Sequence, residues 1–228
     1  MYLKLEKIIA LKTLHLVYAT FLWVSLSFFW YLMFRIIVPY TSGETDIDFL
    51  LTKQHIIGWT TYRWSFYLHI FSSLWVLASG LTQFSKRLLR NGAVIHRWVG
   101  RVYVGIVLLI SAPAACVMSV YANGNEWTKA SFLILSILWW VVTYLAYRAI
   151  LRGDILSHKW WMYRSFALTL SAITLRILQF GFAMWTDIEP ERAYEIIATP
   201  SWVVNLLVAE MLIYFQKRKN RYNAFESL

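Results

Sequence analysis

Hydrophobic residues fill six long stretches of the chain, and polar residues collect between them. The apolar runs cover roughly 13–38, 64–85, 95–121, 129–151, 158–185 and 197–216. Each is long enough, as a helix, to cross a hydrocarbon core of ~30 Å. They are apolar on nearly all faces, whereas a helix of a soluble bundle keeps one polar face. The pattern therefore predicts an all-α membrane protein, a six-transmembrane-helix bundle forming a single domain over 1–228. The loops are short, so sequence neighbours are expected to pack antiparallel. The longest connection, about 39–63, holds Pro39, Gly43 and the sequence YTSGETDIDF. Trp59, Tyr62, Trp64, Phe66 and Tyr67 follow as an interfacial aromatic belt. The stretch NGN at 123–125 reads as a turn. Pro113 is placed to kink the third span.

Composition agrees. The chain is 59% hydrophobic and 15% charged, against ~25% charged for an average soluble domain. The sole cysteine, Cys116, falls within a span, reads as a packing residue and forms no internal disulfide. The amino-terminal sequence MYLKLEKIIALKTLHL has no small-residue cleavage site and reads as the start of the first span.

A net charge of +10 raises the question of nucleic acid, and its distribution answers it. Sixteen of the 22 Lys and Arg lie in alternate connections: Lys4, Lys7, Lys12; Lys86, Arg87, Arg90, Arg97, Arg101; Arg148, Arg152, Lys159, Arg164; and Lys217, Arg218, Lys219, Arg221. The other connections hold most of the acids, among them Glu44, Asp46, Asp48, Glu126, Asp187, Glu189, Glu191 and Glu195. This is a positive-inside pattern, which predicts N-in/C-in topology in a bacterial cytoplasmic (inner) membrane, with the lipid bilayer as partner and no nucleic acid.

Against this background the polar residues inside the spans stand out. Arg176 interrupts SFALTLSAITLRILQFGFAMW. An intramembrane charge costs several kcal/mol by most scales, so it is usually paired, cavity-facing and functional. His158 lies eighteen residues earlier, about five helical turns, so one face runs from His158 through Ser165, Thr169 and Ala172 to Arg176. Span two carries a second stripe, with His69 and Gln83 fourteen residues apart and Ser65, Ser72, Ser73 and Gly80 beside them. Span three presents His96, Gly100 and Tyr103.

Depth sorts these groups into two layers. His96, His158, Gln83 and Glu210, with His15 at a similar level, form an inner layer at the basic end. His69 and Arg176 form an outer one, their depths differing by roughly 6 Å. No acidic residue lies at that depth, and Asn205 is the nearest polar group on the last span.

Imidazoles at matching depth on nonadjacent helices suit the axial ligation of a haem b, with His96 and His158 as the iron ligands. Arg97, Arg101 and Arg164 would then neutralise propionates or a quinone oxygen. His69, Arg176 and Gln83 complete the candidate cofactor-binding set, in which quinone is the second candidate ligand. A metal held by His96, His158 and Glu210 is weaker, since no compact ligand motif is present. The competing reading is a cofactor-free small transporter or an accessory subunit of a membrane complex, its polar stripes packed on each other or on a partner. The catalytic residues and any redox partner stay open.

Four segments carry a family resemblance: LHIFSSLWVLASGLTQF at 68–84, IHRWVGRVYV at 95–104, SHKWWMYRSFALTLSAITLRI at 157–177 and NLLVAE at 205–210. Together they resemble the bacterial predicted membrane proteins catalogued as domain of unknown function 2306, over roughly 60–215. The resemblance implies the bundle and draws attention to His69, Gln83, His96, Arg97, Arg101, Tyr103, His158, Arg164, Arg176, Asn205 and Glu210. It implies no reaction. The layout is also distantly similar to cytochromes of the b561 type, six-helix membrane proteins with two b haems. Gln83 stands where a second span-two histidine would be expected, which favours one inner haem or another ligand over two haems.

Overall fold

The computed structural model describes residues 2–83, 89 and 91–226. Side chains at 2–5, 7–12, 15, 18, 81 and 221–226 lie outside that description, as do residues 84–88 and 90 entirely. His15, Lys4, Lys7, Lys12, Arg221, Lys86, Arg87 and Arg90 are therefore named above as sequence features only.

Among the described residues the fold is all helical. The helices are α1 (Tyr2–Ile37), α2 (Thr60–Gln83), α3 (Ala93–Ile106), α4 (Ala112–Val120), α5 (Glu126–Leu151), α6 (Ile155–Thr169), α7 (Ser171–Trp185), α8 (Pro190–Ala198) and α9 (Pro200–Glu226). Short 3-10 turns, Val38–Ser42 and Asp48–Lys53, fold the 39–59 connection. Five segments are long and apolar enough to cross a membrane: Ala19–Ser42, Ala93–Val120, Glu126–Leu151, Ile155–Trp185 and Pro190–Asn220. The chain is thus a multi-pass membrane protein. Helix α2 is not among the five, because serines, His69 and Gln83 dilute its apolar content.

The exterior is apolar. Phe21, Leu109, Phe180 and Leu207 are each more than 60% exposed, a distribution stable only where lipid replaces water. Exposed Trp59, Trp64, Trp127 and Trp185 ring the end carrying the 39–59 connection, and Trp98 lies at the basic end. Both positions suit interfacial tryptophan.

Helix α2 packs against α1, α3 and α4; α5 against α4 and α6; and α9 against α6 and α7. Gly80 allows α2 to press on α6, since a Cβ there would lie 2.0 Å from the Phe166 ring. Trp202 Nε1 and Thr199 Oγ1 both reach Ser131 Oγ at 3.0 Å, joining α9 to α5. The turns follow local chemistry. Gly124 and Gly153 take positive φ, Asn125 caps α5 by accepting from Thr128 N, and Asp154 caps α6 by accepting from Ser157 N.

Two spans expected to be continuous are interrupted. The third loosens into a π-helical turn at Val107–Ser111 before Pro113. Proline has no N–H to give the preceding turn, and π-bulges relieve that mismatch. The Leu108 carbonyl is capped instead by Trp140 Nε1 at 3.0 Å. The fifth span breaks at Leu170 between α6 and α7, where Ser171 Oγ donates to the Leu168 carbonyl. Local serine-to-carbonyl bonding of this kind competes with the helical ladder.

Candidate functional site

The break at Leu170 opens onto a cavity of about 300 Å³, and the π turn stands behind it, bonded to His69 in its wall. Its walls come from the end of α1, from α2, α4, α5, the α6–α7 break, α8 and the start of α9. His69 and Arg176, assigned to the outer layer by depth alone, both line it. Eight lining side chains are aromatic, including Tyr40, Tyr62, Phe66 and Trp139, and most of the rest are aliphatic. Among the described residues no carboxylate lines the cavity.

His69 is anchored from behind. Its Nδ1 lies 3.0 Å from the carbonyl oxygen of Ser111, the last residue of the π turn. A carbonyl only accepts, so Nδ1 carries the hydrogen. In the neutral ring Nε2 is then the nitrogen left with an open lone pair. Ser111 is held by α2 a second time, through Ser72 Oγ at 2.5 Å from Ser111 Oγ. The bulge thus fixes the ring from a rigid element.

Arg176 lies one and a half turns past the Leu170 break and is solvent-accessible along the cavity edge. Its Nη1 donates to Gln179 Oε1 at 2.8 Å. Among the described ion pairs none includes Arg176. Asn205, expected from sequence to be the outer layer's polar partner, accepts instead from Thr174 Oγ1 at 3.0 Å and donates to the Ser201 carbonyl. That leaves a donor-only guanidinium facing a cavity with no counter-charge in its walls.

Beneath the cavity lies a hydroxyl network that sequence reasoning did not foresee. Tyr103 Oη is 2.9 Å from both Ser165 Oγ and Thr169 Oγ1. Trp139 Nε1 donates to Thr169 Oγ1 at 3.1 Å, and Thr143 Oγ1 is 2.7 Å from Ser165 Oγ. Tyr103, Thr143 and Ser165 are fully buried. The signal lay in period: Ser165 and Thr169 sit on the His158–Arg176 stripe, and Tyr103 two turns beyond His96.

The inner layer is differently built. His158 Nδ1 bonds the Ala146 carbonyl at 2.9 Å, again freeing Nε2. His158 lies near His96, whose buried Nδ1 has no partner among the described residues. Gln83, 8% exposed, has an unpartnered Nε2, and its Oε1 would lie 3.1 Å from a Cβ at Gly100. Gln83 and His158 thus both approach the first turns of α3, which carries His96. The arginines do not all join them. Arg164 is held by Glu210 through two bonds, Nε to Oε1 at 2.5 Å and Nη2 to Oε2 at 2.8 Å. Arg101 lies over the Trp98 ring, and Arg97 is exposed. Among the described residues no three His, Cys, Asp or Glu side chains gather in a metal-binding group, so the His96, His158 and Glu210 triad is not assembled.

The family model described as "Predicted membrane protein (DUF2306)" matches residues 66–213. The chain belongs to this family. The match spans the candidates from His69 to Glu210. No curated protein and no solved structure matches the chain.

Proposed function

We propose that the chain is an electron-transfer protein of the bacterial inner membrane that binds a quinone-class ligand in the cavity between His69 and Arg176. The observation that carries this reading is the joint placement of those two residues on one aromatic cavity without a carboxylate. A quinone head is a planar ring with an oxygen at each end. Aromatic walls suit the ring, the guanidinium donates to one oxygen, and the imidazole lies within the same wall as a polar contact for the other end. The isoprenoid tail needs an apolar exit, which the aliphatic part of the lining supplies.

In this proposal the fold has six spans, with α2 as the sixth. Its 24 residues extend about 36 Å, more than a ~30 Å hydrocarbon core. Val76 and Leu77 are buried against its neighbours, Ser65 and Gln83 are buried, and His69 and Ser73 line the cavity, which favours a span over a surface helix. An even number of spans and the basic clusters put both termini in the cytoplasm.

A haem b at the inner layer is the second element. It is favoured by the partnerless Nδ1 of His96 and by the way the Ala146 carbonyl orients His158 with Nε2 free, the arrangement that usually positions a metal-ligating imidazole. A bound haem would supply one-electron chemistry, and Arg97 and Arg101 are the basic residues left for its propionates.

The test is extraction and spectroscopy of protein purified in mild detergent. Co-purified quinone that is lost on Arg176→Ala, in a variant that still folds, supports the ligand reading. A Soret band lost on His96→Ala or His158→Ala supports the haem. Protein that carries neither, and binds no added quinone, sinks both and leaves the cofactor-free transporter or accessory subunit.

A further inference from the structure

We infer that the cavity selects the reduced, hydroxyl-bearing head of its ligand over the oxidised one, because the π turn fixes which nitrogen of His69 meets it. The inference rests on the quinone-class reading and specifies which form the site holds.

The argument is one of donors and acceptors. Ser111 offers His69 a carbonyl oxygen, so the neutral ring must place its hydrogen on Nδ1. His69 also lines the cavity, so the polar atom it has left for a ligand is Nε2, an acceptor. Arg176 at the other side is donor-only. A ligand bridging the two must donate at one end and accept at the other. A hydroquinone does both: one O–H donates to Nε2, and the other oxygen accepts from the guanidinium. A quinone accepts at both ends and sets a carbonyl lone pair against the Nε2 lone pair. A fatty carboxylate satisfies Arg176 but brings Nε2 no hydrogen.

The tautomer is not free to adapt. Ser111 closes the π turn, Pro113 lacks the N–H that would draw that turn back to an α-helix, and Trp140 caps the freed Leu108 carbonyl. Ser72 fixes the same residue from α2. Switching the ring to the other tautomer would abandon a buried carbonyl–imidazole bond and face a lone pair with a carbonyl. Leaving a buried acceptor unmatched costs enough to make an approximately tenfold difference in affinity.

The experiment is anaerobic equilibrium dialysis of the detergent-purified full chain with three probes: a short-chain benzoquinone, its hydroquinone, and the dimethyl ether of that hydroquinone. The hydroquinone is expected to bind about tenfold tighter than either of the others, which bind alike. His69→Phe is expected to erase the preference. The dimethyl ether makes the same comparison on the native chain, independently of how that variant folds. Equal binding of quinone and hydroquinone, or tighter quinone, overturns the inference and leaves the quinone-class reading standing. Binding of none of the three overturns both.

Discussion

The indole of Trp140 on α5 donates to the carbonyl of Leu108 on the preceding span, at 3.0 Å, at the turn that Pro113 forces out of α-helical register. In a π turn the partner of that carbonyl would be the N–H five residues on, which is Pro113 and has none. Trp140 thus supplies from a neighbouring helix what the chain lacks locally, and lipid supplies no substitute. Trp140→Phe is expected to destabilise the protein by about 1–2 kcal/mol, read as a lower thermal midpoint in detergent. The cost should shrink in a Pro113→Ala background, where the N–H returns. A double-mutant cycle with no coupling would refute the link.

Gly80 sets how closely α2 lies on α6. A methyl group there would lie 2.0 Å from one Phe166 ring atom and 2.3 Å from the next, and that ring is buried within the core. Gly80→Ala is expected to cost about 1–3 kcal/mol by overpacking. Combining it with Phe166→Leu should restore much of the loss. If Gly80→Ala is neutral alone, the two helices are not in the contact described.

Tyr103 holds the buried hydroxyl network together through two bonds of 2.9 Å, to Ser165 and Thr169. Tyr103→Phe keeps the ring and removes the oxygen. The hydroxyls of Ser165 and Thr169 keep other partners, Thr143 and Trp139 among them, so they are not wholly orphaned. The expected loss is therefore about 1 kcal/mol rather than the several that an unsatisfied core would cost. Thermal unfolding of the variant measures it, and a loss beyond about 3 kcal/mol would mean that the network acts as a unit.

The all-helical, multi-pass fold was legible because lipid exposure writes itself as long apolar runs. The pairing of His69 with Arg176 in one cavity followed from depth, since the rise per residue converts position within a span to height in the membrane. What depth does not contain is rotation. Asn205 shares the outer level but faces Thr174, and Arg164 turns to Glu210 and not to His96 and His158. The π turn hung on Pro113, which signals a disturbed helix without saying how the register resolves. The break at Leu170 had no proline or glycine to announce it. Both decide where backbone groups point: the π turn aims the Ser111 carbonyl at His69, and the break sets Thr169 and Ser171 in the cavity wall. Lys53 lies in an acidic connection with nothing around it in sequence to mark it as buried, because sequence cannot show a polar loop folding over its own lysine.

Lys53 is the remaining exception to charge on the surface. It is 1% exposed, and its Nζ donates to the Tyr121 carbonyl at 2.5 Å and to Asn123 Oδ1, fastening the 39–59 connection onto the turn before α5. No carboxylate pairs with it among the described ion pairs. Burial, with some repulsion from Lys129, brings its pKa down from 10.5 to about 8. Two acceptors need only two hydrogens, so the neutral amine keeps both bonds while shedding the cost of a buried charge. The sign follows. Between about pH 8 and 10.5 the unfolded chain holds a proton that the folded one has released, so stability rises with pH across that window and levels above it. The gain should be on the order of a few kcal/mol, seen as a rising thermal midpoint from pH 7.5 to about 10. Lys53→Met is expected to remove the rise and to lower stability at high pH, because the Tyr121 carbonyl and Asn123 lose their donor. A native midpoint that stays flat or falls over that range, with Lys53→Met following the same curve, would show that the ammonium is accommodated without cost.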